Sequence, residues 1–189
     1  MPVSWVNQSV IEEMNDYGSS NSMLENLRWY LPLASSWVLR QEQYILEQGV
    51  PLADSQRSDA RRAGVAHPER VRLLRVERIP LPEYPHLRAM AEALKLTGPP
   101  APALAVRYGI FIRAECWGER QLLVQQLAHT AQYERLGSVS AFLECYLYQC
   151  LAVGYTAAPM EQEAIAIAQR VCAPTQRVST PEVSRGRVA

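Results

Sequence analysis

The last of the chain's 3 histidines, His129, stands in the run LLVQQLAHTAQYERLG, Leu122 to Gly137, with Gln125 and Gln126 shortly before it. A helix that holds zinc for hydrolysis carries His at i and i+4, so that both rings face the metal. A Glu directly after the first His takes a proton from the metal-bound water. Here Gln125 occupies the first ligand position and Gln126 that of the general base, and only His129 has the residue type this chemistry requires. Projected at about 100° per residue, Leu122, Leu123, Leu127, Thr130 and Tyr133 make an apolar face, with Gln126 inside it and Gln125 and His129 at its border. A glutamine inside a buried stripe must find hydrogen-bond partners or cost about 1 kcal/mol or more. On spacing alone, a single histidine beside an apolar face is more often a hydrogen-bonded structural residue than a ligand.

The elements that position these groups alternate between helix and strand. WVLRQEQYILEQG predicts a helix over Trp37 to Gly49 that buries Trp37, Tyr44, Ile45 and the stem of Arg40. A short charged helix is expected over Ser55 to Gly64 and a strand over Val71 to Ile79, bounded by Pro68 and Pro80. Pro85 to Leu94 reads as a short helix with proline in its first turn. Leu104 to Ile112 alternates apolar and mixed residues and predicts a single strand, in which Gly109 marks a bulge or a close backbone approach. Three helices follow, Gly118 to Leu136, Ser138 to Val153 and Pro159 to Val171, with Gly137 and Gly154 as stops. Phe142, Leu143, Tyr146, Leu147 and Cys150 form the buried stripe of the second. The fold class expected is α+β, mainly helical with a small sheet.

The 189 residues fit one domain, expected over 23–172, with a weakly ordered lead-in over 1–22 and a disordered tail over 173–189. Nineteen basic residues balance 19 acidic ones, so overall charge points to no nucleic-acid partner. The N-terminus lacks a basic segment followed by an apolar one, and no run of about 18 apolar residues occurs, so a cytoplasmic chain without a membrane partner is expected. The four cysteines, Cys116, Cys145, Cys150 and Cys172, match no Cys-x-x-Cys pattern and read as reduced, packed thiols. Tyr133, Tyr146, Tyr148 and Tyr155 could stabilise an oxyanion, but at helical spacing they read as core residues with a wet hydroxyl. Glu134 and Arg135 are expected to cap or pair locally at the helix end.

The run YGIFIRAECWGERQLLVQQLAHTAQYERLGSVSAFLECYLYQCLAVGYTAAPMEQEA resembles a family of small, mostly bacterial zinc metallopeptidase-like proteins. In that family a strand precedes a helix reading Leu-x-His-Glu-Leu-x-His-x-x-Gln-Tyr-Glu-Arg-x-Gly, then a second helix, a Gly-Tyr turn and Pro-Leu-Glu-x-Glu-Ala. The upstream GVAHPERVRLLRVERIPLP shares the likeness, which covers roughly residues 35 to 172, and Gln132 to Gly137 is its most specific piece.

The resemblance implies a minimal gluzincin-like core whose His-Glu-x-x-His falls on Gln125, Gln126, Leu127, Ala128 and His129. It puts the third metal ligand at Glu161, which the Glu-x-x-Ala pattern favours, or at Glu163. A neutral amide at Gln125 weakens zinc binding by orders of magnitude, and the amide of Gln126 is too weak a base for water near neutral pH. The implied protein is therefore a degenerate, catalytically inactive metallopeptidase-like scaffold that keeps a groove for a peptide or protein, with no cofactor expected and zinc as the metal if one is held. In that reading Gln125, Gln126, His129 and a glutamate of the last helix form a hydrogen-bonded network in place of the ion. One alternative is an active metal-dependent hydrolase with altered ligands, drawing on His67, His86, Cys145 or Cys150. The other is an unrelated helical interaction domain, in which His129, Glu161 and Glu163 would lie apart.

Overall fold

Ile110, Phe111 and Ile112 form a run of three large apolar residues with no polar face, and the rest of the chain is arranged to bury both of their sides. The computed structural model describes residues 8–93 and 101–174, without the side chains of 8–26, 28 and 93. Its elements are α1 (Gln8–Gln48), β1 (Val50–Pro51), α2 (Asp54–Ala63), β2 (Arg72–Val76), α3 (Pro85–Ala93), β3 (Ala103–Val106), β4 (Gly109–Arg113), α4 (Arg120–Leu136), α5 (Val139–Val153) and α6 (Pro159–Cys172), with short 3-10 turns between some of them. The protein is α+β, mainly helical, with one mixed sheet in the order β1-β2-β4-β3. β4 pairs in parallel with β2, Leu73 opposite Ile110, and antiparallel with β3. Phe111 faces a core built with Trp37, Val38 and Ile45 of α1 and Phe142 of α5, while Ile110 and Ile112 face Leu123, Val124 and Leu127 of α4 and Ala168 of α6.

The expected single strand from Leu104 to Ile112 is instead a hairpin, β3 and β4 joined through Arg107 and Tyr108, with Val106 opposite Gly109. Arg107 takes φ +62, a conformation that costs a non-glycine residue about 1–2 kcal/mol, so the sequence carries no Asn-Gly or Asp-Gly signal for the turn. Tertiary contacts hold it. The Glu42 carboxylate accepts the Tyr108 N–H at 3.2 Å and lies 3.6 Å from the Arg107 guanidinium, and Thr130 Oγ1 donates to the Arg107 carbonyl at 2.9 Å. Gly109 fulfils its expected role of close approach, because a Cβ there would sit 2.8 Å from Ile45 Cδ1.

α1 also departs from expectation. It begins at Gln8, within the stretch read as a weakly ordered lead-in, and passes through Pro32. A proline inside a helix costs about 3 kcal/mol, and the burial of Leu27, Leu31, Ala34, Trp37 and Val38 around it supplies the compensating contacts. Its buried face holds Trp37 and Ile45 as expected, but Tyr44 and Arg40 are exposed and Val38 and Glu42 take their places. The charged helix is capped at Ala53 rather than Ser55 and ends, as expected, at Gly64 with φ +98. Asp59 on α2 receives two hydrogen bonds from Arg120, at 2.7 and 2.8 Å, and Arg120 also reaches the Val171 carbonyl at 3.3 Å, which ties α2, α4 and α6 together. Residues 175–189, most of the expected tail, lie outside the described residues. Among the described residues no single helix is long and apolar enough to cross a membrane.

The buried Glu42 is the acceptor on which the hairpin turn depends. Glu42→Leu is expected to destabilise the protein by about 1–3 kcal/mol, the cost of leaving a buried donor without a partner, whereas Glu42→Gln keeps the acceptor and loses less. Denaturant midpoints of the two variants measure the difference, and equal midpoints would remove the turn from Glu42's control.

Candidate functional site

α4 and α6 pack side by side, so residues one turn apart on α4 meet the first turn of α6. Glu161, only 2% exposed, is the meeting point. Its Oε1 lies 3.0 Å from His129 Nε2 and accepts the Tyr146 hydroxyl at 2.5 Å, while its Oε2 accepts Gln125 Nε2 at 3.1 Å. The second carboxylate of the same turn, Glu163, faces away from His129 Nε2 and holds Arg135 through two hydrogen bonds at 2.8 and 2.7 Å.

The hydrogen-bond roles count the protons. Gln132 Nε2 donates to the Met160 carbonyl at 2.9 Å and to Glu163 Oε2 at 2.8 Å, which fixes its Oε1 as the acceptor facing His129 Nδ1 at 2.9 Å. Nδ1 therefore carries a hydrogen, and the contact from Nε2 to Glu161 requires a second proton shared by the pair. Tyr146 and Gln125 both donate to the carboxylate, which favours its ionised form. Burial raises the Glu161 pKa, but the hydrogen bond and charge of His129, with the Tyr146 and Gln125 donors, outweigh it and leave the carboxyl below its ordinary value. Glu163 is held low first by its hydrogen bond from Arg135. The Tyr146 hydroxyl is pushed far up by burial and then by the Glu161 charge, so it stays a donor.

A cavity of about 300 Å³ opens between α1, α3, β3, α4 and α5 and reaches this cluster. Trp37, Val38, Met90, Val106, Leu143 and Leu147 line its apolar part, and Gln125, Gln126, His129, Tyr155 and Glu161 its polar end. Gln126 lines it without joining the network that the sequence assigned to it: its side-chain amide has no hydrogen-bond partner among the described residues, although the residue is 7% exposed. The network instead comprises Gln125, His129, Gln132, Tyr146, Glu161 and Glu163.

A zinc ion fits this donor set poorly. It would have one imidazole, one carboxylate and a neutral amide, and binding would have to expel the proton between His129 and Glu161 and displace two donors from the carboxylate. Among the described residues no group of three or more His, Cys, Asp or Glu could hold a metal. His67 and His86 are exposed and make other contacts: the His67 N–H bonds Glu134 and the His86 ring faces Tyr30. Cys150 is buried, and desolvation followed by the Glu161 charge pushes its thiol up to about 12, so it supplies no thiolate near neutral pH. Cys145 accepts a hydrogen bond from Gln149 at 3.3 Å.

The structure brings His129, Gln125 and Glu161 together, and Glu163 is one step removed, linked through Gln132. Gln132, part of the most specific piece of the resemblance, was given no role at the site, although it stands three residues after His129, the spacing of neighbours on a helix surface. Glu134 and Arg135 do more than cap their helix. Glu134 accepts the N–H groups of Ala66 and His67 at 2.6 and 3.0 Å and the Tyr108 hydroxyl at 3.1 Å, and Arg135 reaches α6. Tyr146 belongs to the site, Tyr133 stacks on Phe142 and Tyr148 is exposed.

A carboxyl whose folded pKa lies below its ordinary 4.5 adds stability that is complete above that value and is lost as pH falls through the folded one. The thermal midpoint of the native protein should therefore fall as the pH drops below the ordinary carboxyl value of 4.5, and Glu161→Gln should flatten this fall while lowering the midpoint at neutral pH. Glu163 and Asp59, also held low, retain part of the slope. Parallel midpoint curves for the two proteins would show that Glu161 is not the linked group. No family model, curated protein or solved structure matches the chain.

Proposed function

We propose that the chain is a degenerate member of the zinc metallopeptidase-like proteins it resembles, without peptidase activity, and that it keeps a groove for a peptide or protein segment. The observation that carries this reading is the contact of Gln125, His129 and Glu161 within 3.1 Å, because these residues occupy the three ligand positions the resemblance implies. Supporting it, β3 is the edge strand of the sheet, and its residues line the cavity that reaches the cluster. An extended peptide can add to such an edge through its main chain. Hydrolysis lacks its agents here. Gln126 cannot take a proton from water near neutral pH, and both ring nitrogens of His129 are engaged. The proposed setting is the cytoplasm, in keeping with four free cysteines.

The double reversion Gln125→His with Gln126→Glu tests the ancestry. Metal analysis after purification should find zinc near one equivalent per chain in the reverted protein and only trace zinc in the native one, and a general peptidase assay should find no activity in the native protein. A reverted protein without zinc removes the support for this reading. Near-stoichiometric zinc in the native protein, lost in His129→Ala, would make it a working hydrolase with altered ligands instead.

A further inference from the structure

Gln126 is 93% buried by its 7% exposure, lines the cavity and has no hydrogen-bond partner for its amide among the described residues. Its polar atoms are not among those sealed from solvent, so they open onto the cavity. Two of the neighbouring polar groups are engaged. Glu161 already takes three donors, and His129 uses both ring nitrogens. Among the described residues no lysine or arginine lines the cavity. The remaining wall is apolar, with Trp37, Met90, Leu143 and Leu147 among its residues.

From this we infer that the cavity takes a neutral, mainly apolar molecule that ends in an amide, and that Gln126 is the residue that reads the amide. A carboxamide side chain offers an N–H beside a C=O, and a second amide meets both with two reciprocal hydrogen bonds. A carboxylate in the same place would lie near Glu161 with no cation among the described residues to receive it, and an ammonium would find the Glu161 oxygens occupied. Both would also leave a water shell for an apolar wall. The volume of about 300 Å³ stands at the lower end of the roughly 300–1,000 Å³ typical of small-molecule sites, which suits one hydrocarbon chain or one large side chain. The partner can be a primary alkyl amide, or a peptide residue with an apolar side chain whose own N–H and C=O point the same way in an extended chain. The inference deepens the groove proposed above but stands on the cavity, not on metallopeptidase ancestry: failure of the reverted protein to gain zinc leaves it intact.

Calorimetric titration of the full chain with octanamide, octanoate, octylamine and N-acetyl-leucinamide tests it. Octanamide or N-acetyl-leucinamide should bind at least about tenfold more tightly than octanoate and octylamine, and whichever amide binds more tightly identifies the source. Gln126→Met should weaken amide binding about tenfold, the loss of hydrogen bonds to a buried partner, while binding of the neutral apolar dye Nile red stays unchanged. Leu143→Trp, which fills the apolar part and leaves Gln126 in place, should abolish both and covers the case in which Gln126→Met fails to fold. Equal affinity for octanamide and octanoate, amide binding unaffected by Gln126→Met, or no binding of either amide by the native protein would each overturn the assignment.

Discussion

A carboxylate almost sealed between helices is the constraint on which the site depends. Ionised and unpaired at 2% exposure, Glu161 would cost several kcal/mol, and the protein meets that cost with His129 and Tyr146 on Oε1 and Gln125 on Oε2. These partners come from α4 and α5, so satisfying one charge fixes how three helices sit against one another. The constraint then spreads outward. His129 is oriented by Gln132, which is oriented by the Met160 carbonyl and by Glu163, whose charge is balanced at the surface by Arg135. Each member has its role set by the next, which is how a buried polar network selects one packing among many.

The sheet side of the molecule works by another principle. β4 is apolar on both faces, and the helices that cover it leave little freedom for the hairpin turn, which carries Arg107 at positive φ because Glu42 and Thr130 hold its main chain. Thr130 stands one residue after His129 on α4, and Tyr133 of the same helix stacks on Phe142, with ring centroids 3.5 Å apart. A single helix thus presents the polar network to α6, apolar residues to the sheet and an aromatic face to α5. The cavity lies where these faces meet, and Gln126 is a polar group there whose side-chain amide finds no partner among the described residues.

How far the sequence could be read follows from the range of the forces involved. Helices α2, α3, α4, α5 and α6 announced themselves because glycine and proline stops and the apolar stripe act within a few residues. The hairpin was misread as one strand because alternation continues through Arg107 and Tyr108, and nothing local marks a turn that Glu42, 66 residues from Tyr108, holds in place. The first part of α1 was missed because residues 1–22 are rich in Asn, Asp, Gly and Ser, which favour no helix locally.

By itself the sequence determined that His129 would lie on a helix with Gln125 one turn before it, and that Glu161 and Glu163 would open a later helix, since i to i+4 spacing and a proline in the first turn leave little choice. Only the tertiary structure decided that Glu161 rather than Glu163 meets His129, that Gln125 joins them and that Gln126 does not. Those outcomes depend on the rotation of α4 against α6, and that rotation is set by burial and by the pairing of charges across helices, neither of which is written in any local run of residues.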